Sequence, residues 1–187
     1  MALEILAYIF IGIVVAALLF LVLIYNNLVM LKMRIDNAWA QIDVQLKKRY
    51  DLVPNLVETV KGYAKHEKVI FENVTAARSA WSSASTVGEK AKADKSFAGA
   101  LKSLIAVAEN YPTLRANENF KMLQEQLDGI ESKIAYTRQF YNDSVMEYNT
   151  KIMQVPNNIV AGAMGFGAKE YFKVENEAER KNVQVKF

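Results

Sequence analysis

The chain has no cysteine, one histidine (His66) and only three prolines among its 187 residues. Without cysteine there can be no disulfide, thiolate-bound zinc, thiol nucleophile or iron–sulfur cluster. A single histidine excludes a multi-histidine metal centre. It also excludes the di-iron bundle, which needs Glu-x-x-His on each of two helices. Glycine, at eight residues, is too sparse, like proline, for the many tight turns of an all-β domain, so an all-α chain is expected. A dominant charge is missing too. The formal net charge is +3, with basic and acidic residues interleaved, whereas a nucleic-acid binder carries a concentrated basic face.

What the sequence does have is an unbroken apolar run from Ile5 to Ile24, free of charge and proline. About 20 such residues rise roughly 30 Å as a helix, the thickness of a bilayer's hydrocarbon core. Lipid offers the backbone no hydrogen-bond partner, so a run of this kind closes its bonds internally. It is longer than a signal-peptide core, follows no basic n-region and lacks a small-residue cleavage site, so it reads as an uncleaved anchor. Lys32 and Arg34 follow the run and no Lys or Arg precedes it. The positive-inside rule then places the N-terminus outside and the rest in the cytoplasm. Tyr25, Lys32 and Arg34 are the expected lipid-headgroup contacts.

Beyond the run, apolar residues recur at Leu28, Leu31, Ile35, Trp39, Ile42, Leu46, Tyr50, Val53, Val57 and Val60. The period of about 3.6 predicts one amphipathic helix continuous with the span. Pro54 predicts a bend and not a stop, and the helix is expected to end near Gly62, the alternative being continuation to Ser83. A second helix is expected over 67–83, a third over 89–110 before Tyr111-Pro112, and a fourth from a cap at Asn117 or Asn119 to Val155-Pro156. Two long and two short helices suit an elongated up-down-up-down four-helix bundle. The resulting division is 1–27 (span and interface), 28–155 (bundle) and 156–187 (an apolar segment and polar tail). The end of the fourth helix would return to the membrane. Ile159, Met164 and Phe166 would then lie near the headgroups or a neighbouring subunit.

Several stretches resemble the LemA family. They are Tyr25-Asn26-Asn27-Leu28-Val29, the run from Arg34-Ile35-Asp36-Asn37-Ala38-Trp39 to Leu46, and Arg49-Tyr50-Asp51-Leu52-Val53-Pro54-Asn55-Leu56-Val57. Val60-Lys61-Gly62-Tyr63, Tyr111-Pro112-Thr113-Leu114-Arg115-Ala116-Asn117, Tyr141-Asn142-Asp143 and Pro156-Asn157-Asn158-Ile159 follow in order. The resemblance implies a bacterial inner-membrane protein with one N-terminal membrane helix and a cytoplasmic helical bundle. Some relatives occur in magnetosome membranes, which associates the family with membrane organisation. It brings no catalytic residues.

The residues themselves point the same way. His66-Glu67 opens like a HExxH zinc signature, but Ile70 stands where the second histidine belongs. Gly162, Gly165 and Gly167 follow no strand and precede no Gly-Lys-Ser/Thr, so they read as a turn. Lys47-Lys48-Arg49 reads as a solvated face, or as a surface pairing with a neighbouring subunit. Asp43 or Asp51 paired with Arg138 would fix the register of the bundle. No catalytic, cofactor or metal site is expected. The partners expected are the bilayer, a second copy of the chain and, as the alternative, a membrane enzyme or sensor docked on the bundle.

Overall fold

The computed structural model describes residues 1–173, so the polar tail expected from Ala168 is described only to Lys173; the remainder of the 156–187 segment lies outside the described residues. Among the described residues the chain is all-α, without strands. Its helices are α1 (Ala2–Lys61), α2 (Lys68–Ser83), α3 (Val87–Glu109), α4 (Pro112–Ala116), α5 (Glu118–Met153) and α6 (Asn157–Ala163). Among the described residues there are thus six helices where four were expected. The two additions, α4 and α6, are a five- and a seven-residue helix.

Helix α1 runs without interruption from the apolar stretch past Pro54, which lies inside it, and stops immediately before Gly62. Among the described helices only α1 is long and apolar enough to cross a membrane, and none of its apolar window is buried within the chain. The start of α3 is fixed by a capping box. Thr86 Oγ1 accepts from the Glu89 amide (3.2 Å), while the Glu89 carboxylate accepts from the amides of Thr86 (3.1 Å) and Ser85 (2.9 Å). Those bonds favour the ionised acid and pull the Glu89 pKa down to about 2. Pro112 opens α4, where its missing N–H costs nothing. Asn117 Oδ1 accepts from the Phe120 amide (3.0 Å) and opens α5, the capping role expected for Asn117.

The described residues pack as two compact units, residues 1–41 with 139–170, and 42–138 with 171–173. In the first, α1 buries Leu28, Leu31, Ile35 and Ala38, and α5 buries Tyr141, Val145 and Tyr148. In the second, Val53, Leu56 and Val60 of α1 join Phe71 and Val74 of α2, Phe97, Leu101 and Leu104 of α3, Leu114 of α4, and Phe120 and Leu127 of α5 in one core. Leu56, Leu104 and Leu114 are at most 1% exposed, so truncating any one to alanine costs about 2–5 kcal/mol.

Candidate functional site

The first unit has a small apolar seat at the point where the apolar run ends. Val160 and Ala161 of α6 are buried against Ile24 and Leu28 of α1, with Ile152 and Phe166 packed alongside. The Phe166 ring meets Tyr25 edge-on, centroids 5.7 Å apart. Helix α6 ends there for a local reason. Gly165 adopts φ +72°, a conformation that disfavours a side chain, and the Phe166 amide closes back onto the Ala161 carbonyl (2.9 Å). This is the Schellman termination, so the glycine-rich stretch is a built turn. Of the residues expected here, Phe166 is half-buried in the seat, while Ile159 and Met164 are 66% and 62% exposed.

Of the expected headgroup contacts, Tyr25 is committed partly to Phe166, and Arg34 makes an ion pair with Glu147 (2.7 Å). Lys32 is exposed. Further along α1, Trp39 packs edge-on against Tyr141 (5.7 Å).

The segment after α6 is held by side chains of α5. Tyr148 Oη donates to the Gly167 carbonyl (3.1 Å) and Tyr141 Oη to the Glu170 carbonyl (2.9 Å). Between them Asn149 matches both backbone groups of Lys169. Its Nδ2 donates to the carbonyl (2.9 Å) and its Oδ1 accepts from the amide (2.8 Å). Burial, then the nearby Glu170 and Asp36 carboxylates, raises the Tyr141 pKa; burial and Asp36 raise that of Tyr148. Both phenols therefore remain donors through the physiological range. Helical period alone makes Tyr141 and Tyr148 stripe residues of α5, and it does not give Asn149 its backbone partner.

The second unit holds a charged cluster inside its core. Arg49 and Asp94 are each 1% exposed and bonded to each other; Arg138 bonds the other Asp94 oxygen, and Glu131 takes a second bond from Arg49 (2.7 Å). The Arg49 guanidinium lies over the Phe97 ring (5.3 Å), and that of Arg138 over the buried Phe172 (4.8 Å). Two arginines and two carboxylates balance, which is how the fold tolerates their desolvation.

Two expectations are corrected here. Arg49 is not part of a solvated basic face: it sits on the buried stripe, between Leu46 and Val53, while Lys47 and Lys48 are exposed. Neither Asp43 nor Asp51 pairs with Arg138. Asp43 bonds Lys90 of α3, and Asp51 bonds Lys47 one turn away on α1 (2.8 Å). The physical reason is helix phase. Asp94 faces the core, so it captures both arginines, while Asp51 faces solvent.

Comparison with known proteins places these features in a family. Over 186 aligned residues the chain is 27% identical to Magnetosome protein MamQ 1 and likewise to Magnetosome protein MamQ 2, both of Paramagnetospirillum magneticum AMB-1. Each match covers 86% of this chain and 68% of the relative. Magnetosome protein MamQ of Magnetospirillum gryphiswaldense MSR-1 is 36% identical over 80 residues, 43% of this chain and 29% of that one. The sequence model of the LemA family matches residues 38–187, most of the chain, including the buried Arg49–Asp94–Arg138 cluster and α6; the chain belongs to the LemA family.

Proposed function

We propose that this protein is a non-enzymatic, membrane-anchored helical scaffold that self-associates and organises or shapes the bacterial membrane holding it. The observation that carries the reading is the seat of α6 on Ile24 and Leu28. Leu28 lies roughly 6 Å of helical rise beyond Ile24, within the ~5–8 Å headgroup layer of one leaflet. The exposed Ile159 and Met164 would therefore meet the bilayer interface beside the span, giving each copy a second, lateral hold on lipid. The names of the related proteins, which connect them with the magnetosome, fit a role in membrane organisation.

Orientation follows from Lys32 and Arg34. Both lie on the side of the span that we assign to the cytoplasm of the inner membrane, with the N-terminus outside and a single pass. Lys32 stands roughly 12 Å of helical rise beyond Ile24 and reaches back to headgroups only through its long flexible stem, while Tyr25 sits at the interface with Phe166. Asp43 keeps a register role through Lys90 instead of Arg138.

Reconstitution of the full-length protein into liposomes at rising density, imaged by cryo-electron microscopy, tests the reading. Ordered patches or altered curvature are expected; dispersed single copies on unchanged vesicles would overturn it. A second reading, an adaptor that docks a membrane enzyme or sensor, is favoured by an open groove of about 730 Å³ in the second unit, lined by Lys61, Lys65, Lys68, Phe71 and Glu72 among others. Co-purification separates the two: a stoichiometric foreign subunit supports the adaptor, a homomeric particle the scaffold.

A further inference from the structure

Helix α1 buries one face in its own unit, through Leu28, Leu31, Ile35 and Ala38. The opposite face bears Met30, Met33, Asn37 and Ala40, all exposed, with Met30 at 63% and Met33 at 60%. Traced back towards the N-terminus in alternating steps of four and three, this face passes Asn26, Leu23 and Leu19 and reaches Ala16 and Gly12. Every position on the line is exposed, and none is charged. Alternating threes and fours form the seam of a left-handed helix pair. Within the span, Gly12-x-x-x-Ala16 is the small-residue spacing that lets membrane helices approach closely.

Lipid cannot cover the upper half of this face. Met30 and Met33 stand roughly 9 and 14 Å of helical rise beyond Ile24, outside the ~5–8 Å headgroup layer. Water or another protein must lie there. We infer that the occupant is a second copy of this chain, paired in parallel along this face of α1 in the same bilayer. The membrane itself holds copies parallel and at equal height, so each seam residue meets its own counterpart. Asn26 and Asn37 would then face Asn26 and Asn37 of the second copy, the polar seam position that fixes register in parallel pairs. Within its own chain Asn37 Oδ1 accepts from Gln41 Nε2 (3.0 Å), and its amide N–H groups are the donors it brings to such a contact. The proposal rests on the self-association reading above and names its interface.

The absence of cysteine makes the test clean. Full-length Met33→Cys, Asn37→Cys and Lys32→Cys variants are reconstituted in liposomes and oxidised. In-register seam positions fall within disulfide reach and flank positions do not, so the two seam variants should form dimers about tenfold faster or more than Lys32→Cys. A Cβ added at Gly12 meets nothing within 4 Å in its own chain, so Gly12→Ile leaves the protomer's packing intact. In the Met33→Cys background it should slow dimer formation about tenfold by separating the spans. Equal rates at all three positions overturn the inference. No disulfide at the seam, with an amine-reactive cross-linker still trapping multimers, refutes this interface and leaves self-association standing. No multimers with either reagent overturns both.

Discussion

Removing the Asp94 carboxylate should be among the most damaging single changes in the second unit. Asp94 bonds Arg49 and Arg138 at once, and both Asp94 and Arg49 are 1% exposed. Asp94→Ala would leave the Arg49 guanidinium desolvated with only Glu131, whose side chain is 40% exposed, as its remaining acid. Breaking a buried ion pair by deleting one partner costs about 3–5 kcal/mol, because the surviving charge stays buried. Out of a total stability of about 5–15 kcal/mol, that is a large share. Arg49→Met with Asp94→Leu removes both charges. Arg138 and Glu131, at 22% and 40% side-chain exposure, can then turn to solvent. The double variant should therefore lie within about 2 kcal/mol of the parent, or be more stable. The assay is urea unfolding of the full-length protein in detergent, followed through Trp81, whose indole packs on Tyr50 in this unit (4.9 Å). A single variant that loses under about 1 kcal/mol, or a double variant as unstable as Asp94→Ala, would refute the argument that desolvation dominates this cluster.

Other outcomes follow from the same geometry. Asn149→Ala removes both bonds to Lys169 and should loosen the chain there, between the remaining Tyr148–Gly167 and Tyr141–Glu170 bonds, at a local cost of about 1–3 kcal/mol, seen as faster amide exchange at Lys169. Tyr141 and Tyr148 have raised folded-state pKa values, so their contribution is complete below about pH 10 and is lost as pH rises through those values. Undiminished exchange protection at Lys169 once both phenols have ionised would contradict this. Glu89 has the opposite sign. Its lowered pKa of about 2 means that the α3 cap contributes fully above 4.5 and weakens as pH falls towards 2, so the Thr86 amide shift should titrate with that midpoint. Gly165→Ala forces a side chain into φ +72° at about 1–2 kcal/mol and should separate Phe166 from Tyr25, read as lost nuclear Overhauser contacts between the rings.

The long helices are written plainly in the sequence. Period, Gly62 and Asn117 place the end of α1 and the start of α5 to within a residue or two, because many turns of one stripe average out local exceptions. Helices α4 and α6 are too short for a period to register, and their stop signals are carried by a few backbone bonds such as Phe166 to Ala161. Arg49 was legible in principle. Counting by fours and threes from Ile42 through Leu46 to Val53 lands on it. A charge beside Lys47 and Lys48 is nevertheless read as surface unless a buried acid such as Asp94, 45 residues away, is known to meet it. The hold of Asn149 on Lys169 belongs to the same class: the partner is a backbone segment 20 residues on, and no local pattern marks it.

Whether this LemA-family chain works as an assembly held in one bilayer is decided most directly by particle mass. The full-length protein is extracted into native nanodiscs and weighed across a wide range of expression levels. Homomeric particles at integer multiples of the single-chain mass are expected, with a dimer as the smallest abundant species. A strictly monomeric protein at every level would contradict the scaffold reading.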